Sequence, residues 1–589
     1  MDMRKNILAL AAALFSVVSF AQNNINPTVE VTNTYQGDPS EVHKPQIGMA
    51  IPDSLLRFDM DFGYEVFEKP YQGAYTFKPY MLAMKPDKNA YRGRKLYLKA
   101  GAGYSLHPQL DFVFSPEQSG PFQMSVYAGH RSYLGKYNTL TAAPIDGIQE
   151  IIKVPQTSFA GYDMLNSFGI EGSYSLPKAI VTFGAGYEGI MAKDTLFRRS
   201  FNAVDLNARI RSNRDEEKYV FYDVRIGGRM AGDSWSENKL SESVITLEGE
   251  AGPVFDATKA ALLGFEAETV SYGNLFSTNA GRLALIPKYR MSYGKLDLSL
   301  GVRFEVLLKG KVNELAGANW NMFQHKGGVI FPDVHLRFNA TDKLSLFAEA
   351  TGGNTLNTYS SIISRHHFIN PSRMMTPILD NSVEKVNARI GIEGKASEKL
   401  QIGVSGGFAM VGNGLMDCGL GFLSHNSYTL PLLPVAFLPI VSYADYNMLY
   451  ADALVDYKVG DFRLDGALHL RKTSMKFDSD FGLALPKVSY DFRAMYDITS
   501  RIYAGVRVGG SGARFGKCRL LPYDVEENNP SSEVKVPGWF DIGLLGGWQF
   551  NRKLGFWLES GNLLCETIQR SPFYSEKDLW ITAGITLNL

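Results

Sequence analysis

Lys295 to Lys309 reads KLDLSLGVRFEVLLK. Leu296, Leu298, Leu300, Val302, Phe304 and Val306 alternate with Asp297, Ser299, Gly301, Arg303 and Glu305. Successive side chains of a β-strand point to opposite faces, so strict alternation prescribes a strand with one oily face and one charged face. The pattern recurs along the chain. Val386, Ala388, Ile390 and Ile392 alternate with Asn387, Arg389, Gly391 and Glu393. Phe462, Leu464, Leu468 and Leu470 alternate with Arg463, Asp465 and His469. Ile502 to Val508, around Arg507, and Ile581 to Leu589 repeat it. Helical periodicity is not evident after the N-terminus, so the expectation is an all-β chain.

The connectors add a second regularity. Short ones fall at 176–178, 212–218, 294–295, 341–343, 397–399, 460–461, 500–501 and 551–553. Longer ones, read as loops, fall at about 135–162, 310–326, 354–383, 413–443 and 515–537. Short and long alternate, as in an up-and-down barrel with tight turns at one rim and loops at the other. A strand that crosses a membrane must bond every backbone group to a neighbour, because lipid offers none, and closure into a barrel removes the edges. Leu296, Leu298, Leu300, Val302 and Phe304 are then expected to face lipid. Asp297, Arg303, Glu305, Arg389, Glu393, Arg463, Asp465 and Arg507 are expected to face the lumen. A soluble sandwich or propeller would have shorter strands, and the latter a fixed-period blade repeat, which is not found.

Ten hairpins are read around short turns. The first joins Lys95–Ser105 to a strand running from Leu110 to Tyr133, through a turn at residues 107–109. The last joins Phe540–Phe550 to Leu554–Cys565. Gly73–Leu82 is assigned as a strand before the first hairpin, and Asp578–Leu589 closes the chain. The total is about 22 antiparallel strands, within a range of 20–24.

Composition narrows function. Lys plus Arg and Asp plus Glu number 60 each, so no basic excess points to nucleic acid. Residues 1–21 read as a signal peptide: Arg4 and Lys5 precede an apolar core, and Ser19-Phe20-Ala21 sets cleavage between Ala21 and Gln22. Its removal leaves 58 basic and 59 acidic residues. An exported barrel implies an outer-membrane setting, with lipid, lipopolysaccharide and the barrel-assembly machinery as partners. The three cysteines, Cys418, Cys518 and Cys565, match no metal spacing. One disulfide between neighbouring loops and three unpaired thiols are both open.

Signal peptide, alternating strands, alternating connectors and a count near 22 together resemble the barrel of TonB-dependent receptors over residues 73–589. The resemblance implies transport or reception of solutes across the outer membrane. Two features depart from that pattern. Only residues 22–72 precede the first assigned strand, which is too little for a plug domain. The chain also ends in Leu589, where barrel-assembly signals usually end in an aromatic residue. PTVEVTNTY (27–35) loosely resembles the short energy-coupling box of such receptors, though a generic extended segment is the plainer reading of those residues.

A barrel this wide needs a filling. Residues 22–72, the long loops or a partner protein at the loops or the N-terminal segment could supply it. His366-His367 stand in a long loop, where a loop contact is expected in preference to a metal site, because adjacent side chains rarely converge on one ion. Segment 413–443 is unusually apolar, and either meets a partner, ligand or lipopolysaccharide, or folds inward on other loops. His469 lies near Asp465 and Arg471 in sequence, and a structural role is expected. No catalytic signature, cofactor motif or metal cluster is found, so the chain is not read as an enzyme. Two functions remain: a solute transporter or receptor, and a non-transporting accessory subunit of an outer-membrane complex.

Overall fold

The computed structural model describes residues 95–589 except 117–119, 195–197, 214–218, 236–237, 257, 276, 310–321, 370–378, 424–436, 476–481, 523–530, 571 and 577. The proposed signal peptide, segment 22–72 and the strand assigned at Gly73–Leu82 all lie outside the described residues.

The strands run in chain order as follows. The first eight are β1 (Leu96–Tyr104), β2 (Gln109–Phe114), β3 (Phe122–Ile145), β4 (Ile148–Ser175), β5 (Ala179–Lys193), β6 (Arg198–Ser212), β7 (Tyr219–Trp235) and β8 (Asn238–Asp256). The next eight are β9 (Lys259–Asn274), β10 (Thr278–Tyr293), β11 (Leu296–Lys309), β12 (Ile330–Asn339), β13 (Leu344–Leu356), β14 (Asn381–Ser397), β15 (Leu400–Leu423) and β16 (Phe437–Val459). The last nine are β17 (Phe462–Met475), β18 (Gly482–Leu483), β19 (Val488–Thr499), β20 (Ile502–Ser511), β21 (Arg514–Pro522), β22 (Ser531–Val536), β23 (Trp539–Gln549), β24 (Leu554–Gly561) and β25 (Trp580–Asn588). One helix, α1 (Tyr359–Arg365), lies between β13 and β14.

All strands but β18, β21 and β22 form a closed antiparallel wall of 22. Closure is made by β1, which pairs with β2 on one edge and with β25 on the other, from Tyr97↔Asn588 to Tyr104↔Ile581. The expected number is therefore present, but two strands differ from the reading. The run from Leu110 to Tyr133 is two strands, β2 and β3, which pair with each other. Ser115-Pro116 and Gly120-Pro121 interrupt the run, and Pro cannot donate to a ladder. Both edges of β1 are taken, so the wall closes without Gly73–Leu82. The turn at residues 107–109 accordingly sits at the rim opposite the tight turns.

The tight-turn rim carries both chain ends of the wall, with Leu96 N donating to Leu589 O at 3.0 Å. At the other rim, several segments read as loops are strand. β3 has 24 residues and β4 has 28, against the ~9–11 that cross a bilayer. They form one tall hairpin that turns at Asp146-Gly147, with φ of 51° and 81°. Both residues have positive φ, the two-residue hairpin geometry that an Asp-Gly pair favours. β15 and β16, of 24 and 23 residues, make a second tall hairpin.

A sheet outside the wall joins these two hairpins. β21 pairs in parallel with β15, from Leu420↔Arg519 to Leu423↔Pro522. β21 also pairs antiparallel with β22. β22 pairs in parallel with β4 at Val534↔Gln149 and Lys535↔Glu150. In the wall, β4 and β15 stand eleven strands apart in a circle of 22. The hairpin β21–β22 thus bridges opposite sides of the barrel mouth as a roof.

Candidate functional site: a lid across the barrel mouth

Beneath the roof, the mouth is filled with apolar side chains. Tyr359, Ile362 and Ile363 of α1, with Ile369 and Leu379 beyond it, are buried in one cluster. That cluster takes in Phe201, Trp235, Val270 and Tyr272 from the wall, and Leu483, Val534 and Val536 from the roof elements. The helix was not legible as one, because seven residues are too short to show a 3.6-residue period. Its start is set by Thr358, whose side chain accepts from Ser361 N, as an N-cap residue does. The helix is buried on both sides, including Tyr359, Ser360, Ile362, Ile363 and Arg365.

Polar groups of the lid are matched to the wall. Tyr359 Oη donates to Asp233 Oδ2 at 2.5 Å, and the same oxygen accepts from Arg199 Nε at 2.8 Å. Arg199, fully buried, also donates to the carbonyls of His367 and Ile369. Tyr272 Oη accepts from Tyr359 N at 3.1 Å and donates to Glu242 at 2.7 Å, and Glu242 also accepts from Ser360 Oγ. Arg365 and Arg514 share Asp417, at 3.0 and 2.8 Å. Burial raises the pKa of Asp417, but the two guanidinium groups outweigh it and hold the carboxyl at about 2. A buried charge is tolerable only when paired in this way.

His366 and His367 go to different partners. His366 Nε2 lies 3.3 Å from Pro572 O, and His367 Nδ1 lies 2.7 Å from Asp163 Oδ1. Burial pushes the His366 pKa down to about 4. A small pocket of about 30 Å³ lies beside Arg365, Arg514 and Arg570. Its charges balance, since Arg570 pairs with Asp541 and Glu576 while the other two share Asp417.

The expected lumen charges are all engaged. Arg303, which is buried, pairs with Glu266 and Glu305. Glu305 accepts from the backbone N of Asn354 at 2.6 Å, and Asn354 in turn receives Gly328 N at 2.8 Å. Asp297 accepts from Ser292 Oγ at 2.6 Å and Asn339 Nδ2 at 3.0 Å. Arg389 pairs with Glu349 at 2.7 Å, Glu393 with Arg337, and Arg507 with Asp491 at 2.5 Å. Arg463 reaches Asp497 at 3.8 Å, and Asp465 pairs with Arg493 at 2.6 Å. His469 bonds Asp452 at 2.6 Å, which also holds Arg471 at 2.6 Å. Asp465 is not its partner, because residues four apart on a strand are ~13 Å apart whereas cross-strand neighbours are ~5 Å apart. On the other face of β11, Leu300 and Val302 are 46% and 41% exposed. Leu296, Leu298 and Phe304 are partly exposed.

Segment 413–443 folds inward where it is described. Leu415, Met416, Cys418, Ile440 and Val441 are buried. The roof hairpin had no counterpart in the sequence reading. Alternation in a six-residue strand such as Ser531–Val536 is too brief to stand out.

No protein-family model and no curated protein matches the chain. Solved structures do. The FrpB iron transporter of Neisseria meningitidis (F5-1 variant) superposes with a TM-score of 0.57 at 8% identity, over 84% of this chain and 81% of that one. A ferric enterobactin receptor mutant of Pseudomonas aeruginosa gives 0.56 at 11%, over 84% and 82%. The siderophore receptor PirA of Acinetobacter baumannii gives 0.54 at 10%, over 84% and 80%. The barrel has the fold of the TonB-dependent receptors. At these identities the likeness concerns the fold alone.

Proposed function

We propose that this is an outer-membrane barrel for gated passage or reception of solutes, with its mouth closed by its own lid. The observation that carries the reading is the roof β15–β21–β22–β4 together with the buried core beneath it. Exposed apolar rows such as Leu300 and Val302 face lipid in this reading, and the paired charges line the interior. The likeness to receptor barrels favours transport. The packed lid favours the second reading, a non-transporting accessory subunit, because a mouth held by this many matched groups resists free diffusion.

The deciding measurement is single-channel conductance in a planar bilayer. The native barrel is expected to be closed most of the time, with rare openings. A variant with residues 358–379 replaced by a short Gly-Ser turn is expected to conduct steadily. If the native protein never opens and takes up no solute in vesicles, with the cargoes of the named neighbours (iron and siderophores) tried first, the accessory reading replaces the transport one.

A further inference from the structure

Cys418 and Cys518 meet where the roof joins the β15 side of the mouth. Their Sγ atoms are 3.8 Å apart, and both side chains are buried in the lid core. The pairing Leu420↔Arg519, carried two residues back, sets Cys418 beside Lys517 and one residue from Cys518. A one-residue offset between strands about 4.8 Å apart puts the Cα atoms ~6 Å apart, within the ~4.4–6.8 Å window that a disulfide spans. Cys565, by contrast, is exposed.

We propose that Cys418 and Cys518 are joined by a disulfide in the exported protein. It welds the roof to the β15 side and leaves the β4–β22 seam as the side on which the mouth opens. The bond forms during folding, before the sulfurs are enclosed. The two thiols give up two protons and two electrons to the disulfide of a periplasmic thiol oxidase, which leaves as a dithiol. An oxidising compartment maintains such bonds. The opposite junction is slighter: two residue pairs and one ion pair, Lys535 Nζ to Glu150 Oε2 at 2.7 Å. The location of the hinge rests on the gated-passage reading, whereas the disulfide does not.

Thiol titration of the purified mature protein, denatured without reductant, decides the bond. One reactive thiol, Cys565, is expected before reduction and three afterwards, and a non-reduced peptide map should link the Cys418 and Cys518 peptides. Three thiols before reduction would overturn the disulfide. The hinge is tested with Lys535→Glu, which puts like charges across the seam. Openings of this variant in a bilayer are expected with the disulfide intact and unchanged by reductant. Openings that appear only after reduction would place the hinge at the β15 side and overturn the assignment. Silence in both conditions overturns the hinge together with gated passage, while the thiol count still decides the disulfide by itself.

Discussion

At the scale of the residue, the burial of His366 predicts an acid-dependent loss of stability in the lid. It stands edge-on to the stacked pair Phe368 and Tyr574, with ring centroids 6.2 and 5.5 Å away. His367, Arg199 and Asp417 are its charged or titratable surroundings. Its pKa falls from 6.5 in the unfolded chain to about 4 in the folded one. The unfolded state then binds more protons in that window, so stability is full above pH 6.5 and is lost as pH falls toward 4. The ceiling on the loss is about 3 kcal/mol. The denaturation midpoint in detergent is expected to drop between pH 6.5 and 4, and His366→Phe is expected to flatten that drop. An equal drop in the variant would show that other groups carry the acid sensitivity. Asp417 adds nothing in this window, because its depressed pKa makes it lose stability only below its ordinary value near 4.

Strands were the most legible elements, and the reason is visible in β14. Its alternating residues separate cleanly, with Ile390 at 67% exposure and Arg389 tied to Glu349. An exposed apolar row on one side and paired charge on the other enforce a period of two, and sequence carries that period directly. Turn chemistry was legible too, but its meaning depends on strand length. Asp146-Gly147 is a hairpin signal, but β3 and β4 outrun a bilayer, and the excess length reads as loop in sequence. The lid was least legible. α1 is held by Glu242, Asp233 and Asp417, which lie on strands more than 50 residues away in sequence, and no local pattern encodes such partners. The face assignment of β14 can be tested. Ile390→Arg places a guanidinium on the exposed row, and a cost of about 2–4 kcal/mol is expected near the midplane. Equilibrium folding into lipid vesicles measures it. A loss below about 0.5 kcal/mol, the ordinary range for a surface substitution, would mean that this row does not meet lipid.

For the molecule as a whole, closure is the property on which everything else depends. The wall has no edge only because β25 lies between β24 and β1. Leu589 takes part through its backbone, accepting from Lys95 N at 2.6 Å and Leu96 N at 3.0 Å, and donating to Leu96 O at 2.9 Å. The side chain of Leu589 is not part of that ladder, so a leucine at this position is compatible with a closing strand. Removing residues 580–589 would leave β1 and β24 each with an open row of backbone donors and acceptors, and none of these can be satisfied in lipid. The truncated chain is expected to lose the heat-modifiable gel migration of a folded barrel in detergent, whereas Leu589→Phe is expected to keep it. If the truncated chain still migrated as a compact, heat-modifiable species, β1 and β24 would have to pair directly in a smaller barrel. In that event the roof could not hold its span, because β4 and β15 are opposed only in a circle of this size. The roof, the seam and the lid are therefore consequences of a wall closed at its present number of strands.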